Sequence, residues 1–364
     1  MLSVYYLGMH KTYHAVVDVW NEQLADIARA KTSIYFEQYQ VADVTEGKIG
    51  EEYIEALIKK AREGLDVRCV FDFVGSVELF KHEKLVDTLR KAGVDVFFYK
   101  SRSVLSMKFY PSYYFLRDHR KMLVVDGNVA WLGGVVVTES LRGSEDLMVR
   151  YDNPIIAQGL ATEFKEQHER LLDTQVIIPP LRSVGTDSFL VGNAPGFSNR
   201  FCYERLCHAV MLAEQSVTIV SPYFSLPIKL KLIIFRQLRR GVAISLITPR
   251  DTDNALADMG RESYMYRCIK EGLKVYYLPF MNHAKAVITD DNWVSFGSTN
   301  FDALSLLYNH ELNIETKNQQ VVQDILSITE KWKADITPAT YEETKHVSYP
   351  FYKKLLGRMA RYFV

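Results

Sequence analysis

The chain holds 364 residues, 48% of them hydrophobic and 24% charged, and its 44 Lys plus Arg balance 44 Asp plus Glu. A formal net charge of zero argues against a general nucleic-acid binder, which carries a basic excess, and the length suits two domains or one domain built from two halves. Cys69, Cys202, Cys207 and Cys268 lack CxxC spacing, so reduced thiols are expected rather than a zinc site or redox pair.

No apolar run reaches the roughly 18 residues of a membrane span, and the opening MLSVYYLGMHKTYHAVV lacks the pattern of a signal peptide. Residues 30–40, AKTSIYFEQYQ, are rich in β-branched and aromatic side chains and predict a buried strand. Residues 61–73, AREGLDVRCVFDF, and 90–100, RKAGVDVFFYK, each predict a helix end, a glycine stop and a further strand. DHRKMLVVDGNVAWLGGVVV (118–137) follows, then SEDLMVRY, where Asp146 opens another predicted strand. Residues 173–200 carry Pro179-Pro180 and other turn formers and are expected to be a crossover.

The rest of the chain repeats this order. EQSVTIVSPYF (214–224), LRRGVAISLITPR (238–250), IKEGLKVYYLP (269–279) and NHAKAVITDDNWVSFGSTNF (282–301) match the earlier segments in turn. NHELNIET then places Glu311 where Asp146 stood. Both copies read His-x-Lys, four residues, Asp, six residues, then Gly-Gly or Gly-Ser: His119, Lys121 and Asp126, then His283, Lys285 and Asp290. The duplication predicts an α/β fold of two similar halves about a pseudo-two-fold axis, with an active site at their interface. The expected boundaries are 1–178, 179–345 and a C-terminal helix over 346–364.

Residues i and i+2 of a strand face one side, so each histidine and lysine should point together. A buried lysine is costly unless an anion neutralises it, and two such pairs meeting face to face suit a phosphate. One histidine can attack phosphorus while the other protonates the departing oxygen. The lysines would stabilise charge as it develops. Asp146 and Glu311, one per half, are candidates to orient the histidines, the alternative being two solvated strand-end acids. Asp126 and Asp290 are expected to bind backbone and hold the motif in shape. Lysine is a poor metal ligand and no metal-binding spacing exists, so neither metal nor cofactor is expected.

Two HxKx4Dx6G[GS] copies resemble the phospholipase D superfamily, and SIYFEQYQ, LRDHRKMLVVDG, SPYF and NHAKAVITDDNWVSFGSTNFDALSLLYNHELN resemble its bacterial cardiolipin synthases. The resemblance implies the paired fold, a phospho-histidine intermediate and exchange of a phosphatidyl group between alcohols. It implies phosphatidylglycerol as donor, a second phosphatidylglycerol as acceptor and glycerol as leaving group. It also assigns His119 as nucleophile and His283 as general acid/base, although the sequence itself is nearly symmetric. Gly134, Ser298 and Asn300 fall at the family's substrate-binding positions. Val136 replaces the usual first-half asparagine, which removes a donor worth about 1–3 kcal/mol.

Residues 351–364, FYKKLLGRMARYFV, wound as a helix, separate an aromatic-edged apolar face from Lys353, Lys354, Arg358 and Arg361. Such a helix suits peripheral association with the cytoplasmic face of a membrane, or docking on the protein core. The unmatched insertion 101–116 crowds Phe109, Tyr110, Tyr113, Tyr114 and Phe115 into a loop that could line an acyl-chain groove or pack between the halves. Three functions compete: a phosphatidyltransferase or phospholipase acting on membrane lipid, a nucleic-acid phosphodiesterase, and a lipid-binding scaffold. The intact pairs, neutral charge and basic tail favour the lipid enzyme; oligomeric state stays open.

Overall fold

The computed structural model describes residues 9–99, 116–172, 180–194 and 200–345. Nearly all of the aromatic insertion and the whole of the C-terminal tail lie outside the described residues.

The first sheet is built from β1 (Met9–Ala15), β2 (Ser33–Gln38), β3 (Asp66–Asp72), β4 (Asp95–Tyr99), β5 (Lys121–Val125), β6 (Val129–Gly133) and β7 (Glu145–Asp152), in the order β1-β7-β6-β5-β2-β3-β4. Strands β2, β3 and β4 are parallel, joined through helices Ile49–Arg62 and Glu83–Lys91, and the others pair antiparallel. The second sheet uses β8 (Leu181–Ser183), β9 (Ser188–Asn193), β10 (Ser216–Val220), β12 (Ala243–Pro249), β13 (Lys274–Leu278), β14 (Ala286–Thr289), β15 (Trp293–Gly297) and β17 (Glu311–Thr316). Its order, β13-β12-β10-β14-β15-β17-β9-β8, reproduces the first sheet position by position and adds β8 at one edge. A short ribbon pairs β11 (Phe224–Ser225) with β16 (Phe301–Asp302).

The glycine stops behave as the sequence predicts. Gly64 and Gly241 sit at φ 91° and 90°, the left-handed conformation that ends a helix without a Cβ penalty. Residues 173–200 are a correction to the expected crossover. They contain the β8–β9 hairpin, and β9 stands where β1 stands in the first sheet. Both β1 and β9 mix exposed or half-buried positions with buried ones, so their apolar patterning is weak.

Each sheet has its own helical cover, and the two sheets share one core. Val124, Ala130, Leu132 and Val149 of the first half pack in one cluster with Ile288, Val294, Phe296 and Ile314 of the second, together with Phe164 and Ile325 from the intervening helices. Each fully buried side chain of this size contributes about 1.5–3 kcal/mol. The halves are also stitched by backbone: Asp118 bridges His310 and, at the matching place, Glu145 bridges Asn282. Those two bridges lie beside the motif histidines.

Candidate active site

His119 and His283 lie just before β5 and β14, with Lys121 opening β5, Lys285 immediately preceding β14, and Asp126 and Asp290 immediately following the two strands. His119 N–H donates to the His310 carbonyl at 2.9 Å, and His283 N–H donates to the Glu145 carbonyl at 2.7 Å. His310 precedes Glu311 and Glu145 precedes Asp146, so each histidine is anchored on the segment bearing the other half's carboxylate. The side chains follow. His119 Nδ1 is 3.1 Å from Glu311 Oε1, and His283 Nδ1 is 3.0 Å from Asp146 Oδ2. Both rings are largely buried and both carboxylates wholly so. A carboxylate at Nδ1 keeps the proton on that nitrogen and leaves Nε2 as the free lone pair.

Both rings line one cavity of about 500 Å³, shared with Tyr39, Tyr223, Asn300 and Asp302. The lysines lie behind this surface. Lys121 and Lys285 are buried, and each Nζ donates to the carbonyl of the histidine two residues earlier. Burial lowers Lys121 to about 7 and Lys285 to about 8, against the pull of nearby acids. Burial, then Lys121 and Lys285, holds His119 well below its ordinary value, and burial with Lys285 lowers His283. Burial pushes Glu311 and Asp302 up to about 7. Burial also acts on Asp146, but Lys285 and the His283 hydrogen bond outweigh it and leave the carboxyl below its usual range. The site thus gathers four basic groups, two on the cavity wall and two buried behind it, an arrangement that an anion in the cavity would relieve.

The glycine-or-serine position after each motif differs in a way that matches its acid. A Cβ on Gly134 would come within 2.2 Å of Asp146 Oδ1. In the second half the longer Glu311 leaves room for Ser298, whose hydroxyl donates to Oε2 at 2.5 Å. Asn300 is 3% exposed, lines the cavity, and its Oδ1 has no hydrogen-bond partner. Val136 also lines the cavity and belongs to the first half's apolar cluster.

Asp126 and Asp290 lie at the far ends of β5 and β14 from the histidines, at φ 54° and 50°. Asp126 accepts from the N–H groups of Lys31, Thr32 and Ser33 and from the Thr32 hydroxyl. Asp290 accepts from the N–H groups of Glu214, Gln215 and Ser216. Each fastens its motif hairpin to the start of the neighbouring strand.

Several cavity groups escaped the sequence reading. The Tyr39 ring is 4.9 Å from that of His119 and 5.0 Å from Lys121 Nζ. Tyr223 stands 6.4 Å from His283 and donates its hydroxyl to Asp253. The two tyrosines hold matched places in AKTSIYFEQYQ and EQSVTIVSPYF, a signal that was present in the repeat. Arg117, also on the cavity wall, forks onto buried Asp72 at 2.7–3.0 Å. His310 contributes its backbone to the site and stacks edge-on with Tyr99. Among the described residues no group of three or more His, Cys, Asp or Glu is arranged to hold a metal ion.

A family model described as "Cardiolipin synthase, PLD-like domain" matches residues 24–168 and 206–332. The chain is 26% identical over 333 residues to cardiolipin synthase A of Proteus mirabilis (strain HI4320), covering 87% of this chain and 68% of that protein. It is 24% identical over 362 residues to cardiolipin synthase A of Edwardsiella ictaluri (strain 93-146), covering 95% and 73%. The crystal structure of phosphatidylserine synthase from Haemophilus influenzae Rd KW20 superposes with a TM-score of 0.78 at 14% identity, covering 98% of this chain and 95% of that one. That last likeness is one of fold.

Proposed function

The chain belongs to the phospholipase D-like family of cardiolipin synthases, and from that premise we propose that it transfers a phosphatidyl group from phosphatidylglycerol to an alcohol, the hydroxyl of a second phosphatidylglycerol. The observation that carries the reading is the reciprocal pairing of His119 with Glu311 and His283 with Asp146 on one cavity.

His119 Nε2 attacks phosphorus, forming a P–N bond as the P–O bond to glycerol breaks. His283 enters this step as an imidazolium, its Nδ1–H held by the Asp146 carboxylate, and gives its Nε2 proton to the departing glycerol oxygen, becoming the neutral base for the second step. The acceptor hydroxyl then returns a proton to His283 and attacks phosphorus, and the P–N bond breaks to free His119. Glu311 holds the proton of His119 on Nδ1 and so leaves Nε2 free to attack, whereas Asp146 orients His283 and stabilises its imidazolium. Lys121 and Lys285 supply positive field to the phosphoryl oxygens without leaving the protein interior. Gly134 and Ser298 set the positions of the two carboxylates, and Asn300 offers its amide to the substrate.

Incubation with phosphatidylglycerol vesicles should yield cardiolipin and glycerol, with EDTA having no effect. Phosphatidate as the sole product would make the protein a hydrolase. Turnover of DNA with none of lipid would overturn the lipid reading.

The same proposal has the enzyme peripheral on the cytoplasmic face of a membrane. No helix among the described residues is long and apolar enough to cross one. Removing residues 349–364 should weaken vesicle sedimentation more than it weakens turnover of a short-chain soluble lipid; unchanged sedimentation would dispose of the tail as an anchor.

A further inference from the structure

The helix Ile228–Arg239 differs on its outer face from its counterpart in the first half, Ile49–Arg62. The counterpart carries Glu51, Glu52 and Glu55 and exposes no large hydrophobic side chain. Ile228–Arg239 reads IKLKLIIFRQLR and has no acidic residue. Ile228 is 65% exposed and Leu232 60%. At about 100° per residue these two fall on one stripe, with Lys231 on one flank and Arg236 on the other. Leu230, Ile234 and Gln237 are buried on the inner side. Lys229 pairs with Glu204 and Arg239 with Glu271, whereas Lys231, Arg236 and the following Arg240 have no carboxylate within 4 Å among the described residues.

The stripe starts beside the active-site cavity. Tyr223, on the cavity wall, leads into β11, which pairs with β16, and Asp302 of β16 is on the same wall. Only Leu226 and Pro227 separate β11 from the helix. Leu256, itself 51% exposed, lines the cavity as well.

We propose that the outer face of Ile228–Arg239 is a docking surface for an anionic lipid bilayer. Ile228 and Leu232 enter the acyl boundary, and Lys231, Arg236 and Arg240 meet the headgroup phosphates. An apolar stripe flanked by cations is the chemistry of an interfacial helix. This surface is distinct from the tail and rests on the lipid reading of the active site. The tail itself is a poor occupant, because FYKKLLGRMARYFV has four cations and no acid and would be repelled. A second copy in two-fold pairing would set the same cations against each other, and two exposed side chains fall far short of the ~800 Å² per partner of a stable interface.

The test uses the full chain and vesicles of phosphatidylcholine with or without phosphatidylglycerol. The variants are Ile228→Gln with Leu232→Gln, Lys231→Gln with Arg236→Gln and Arg240→Gln, and, on the counterpart helix, Glu52→Gln with Glu55→Gln. The parent should bind the anionic vesicles at least about tenfold more tightly than the neutral ones. Each of the first two variants should lose most of that binding, on the order of tenfold. The counterpart variant should keep it, and all should turn over short-chain monomeric phosphatidylglycerol within about twofold of the parent. Undiminished vesicle binding by both helix variants, with cooperative unfolding intact, would overturn the proposal. So would a loss of binding that sedimentation velocity traces to a dimer becoming a monomer, or a gain in binding through this helix when residues 349–364 are removed. A parent that binds vesicles through the helix but turns over no soluble lipid would sink the active-site reading and leave the docking surface standing.

Discussion

His119 and Glu311, 192 residues apart in sequence, meet at 3.1 Å between Nδ1 and Oε1, and His283 meets Asp146 across 137 residues at 3.0 Å. Each imidazole is therefore aimed by a carboxylate from the opposite half. Neither half holds a complete histidine–carboxylate unit of its own, so docking of the halves and assembly of the site are one event. The shared core between the sheets, buried for stability, also sets the register of the catalytic pairs.

The crossed pairing separates two variants that a same-half pairing would group differently. Glu311→Gln should impair His119, and Asp146→Asn should impair His283. Each should lower kcat by about 10²–10⁴ with little change in KM, since the amide no longer stabilises the right tautomer. Phospho-enzyme formation measured with labelled substrate should fail in Glu311→Gln. With a substrate whose leaving group needs no proton, it should persist, with slow release, in Asp146→Asn. The reverse pattern would exchange the roles assigned to the two histidines.

Gly134 and Ser298 occupy matched positions but should respond differently. Gly134→Ala puts a methyl group 2.2 Å from Asp146 Oδ1, displacing the carboxylate and mis-aiming His283. A loss of activity on the order of 10²-fold is expected. Ser298→Ala removes one donor to Glu311, which costs about 1–2 kcal/mol, or roughly tenfold in rate. Steady-state kinetics on soluble substrate would rank them, and a benign Gly134→Ala would refute the close-packing argument.

Asp126 is a stability residue despite its place in the motif. Asp126→Ala removes the acceptor for three backbone N–H groups and the Thr32 hydroxyl. The change should cost about 2–3 kcal/mol. Urea unfolding should register the loss while kcat of the folded fraction stays near the parent value. A large fall in kcat without a fall in stability would return Asp126 to the chemistry.

Asp302 gives the fold a pH dependence. Burial raises its carboxyl from 3.8 to about 7, so between those values the folded state holds a proton that the unfolded state has released. Its contribution is present below pH ~4 and is lost as pH rises through about 7. Asp302→Asn cannot titrate, and it can still cap helix Ala303–Leu307 through the Ser305 N–H. The variant should gain on the parent by on the order of 1–3 kcal/mol between pH 4.5 and pH 7.5. Urea midpoints that stay parallel across that range would contradict the buried, proton-holding carboxyl.

The repeat was legible because the histidine, lysine and aspartate of each motif sit on one hairpin, where local spacing fixes geometry. Asp146 and Glu311 were legible as acids opening matched strands. Their partners were not, since 27 residues separate Asp146 from His119 in sequence and nothing local says that it reaches the other half. The spacing from His283 to Glu311 is 28 residues, and the extra residue falls in the connection, a 3-10 turn at Glu139–Leu141 against the helix Ala303–Leu307. It leaves the strand register untouched, with Gly133 facing Met148 and Gly297 facing Asn313. Strands β1 and β9 were missed because both mix exposed or half-buried positions with buried ones, which blurs the alternation that marks a strand. Tyr39 and Tyr223 were visible in the aligned strands, but an aromatic in a strand reads first as core.

The central claim is that His119 becomes covalently bonded to phosphorus while His283 serves the leaving group. Quenching turnover in alkali, which preserves a P–N bond, and locating the phosphorylated peptide by mass spectrometry tests it most directly. The account predicts modification at His119 in the parent, its accumulation in His283→Ala with a substrate whose leaving group needs no proton, and its absence in His119→Ala. Modification at His283, or equal trapping in both variants, would contradict it.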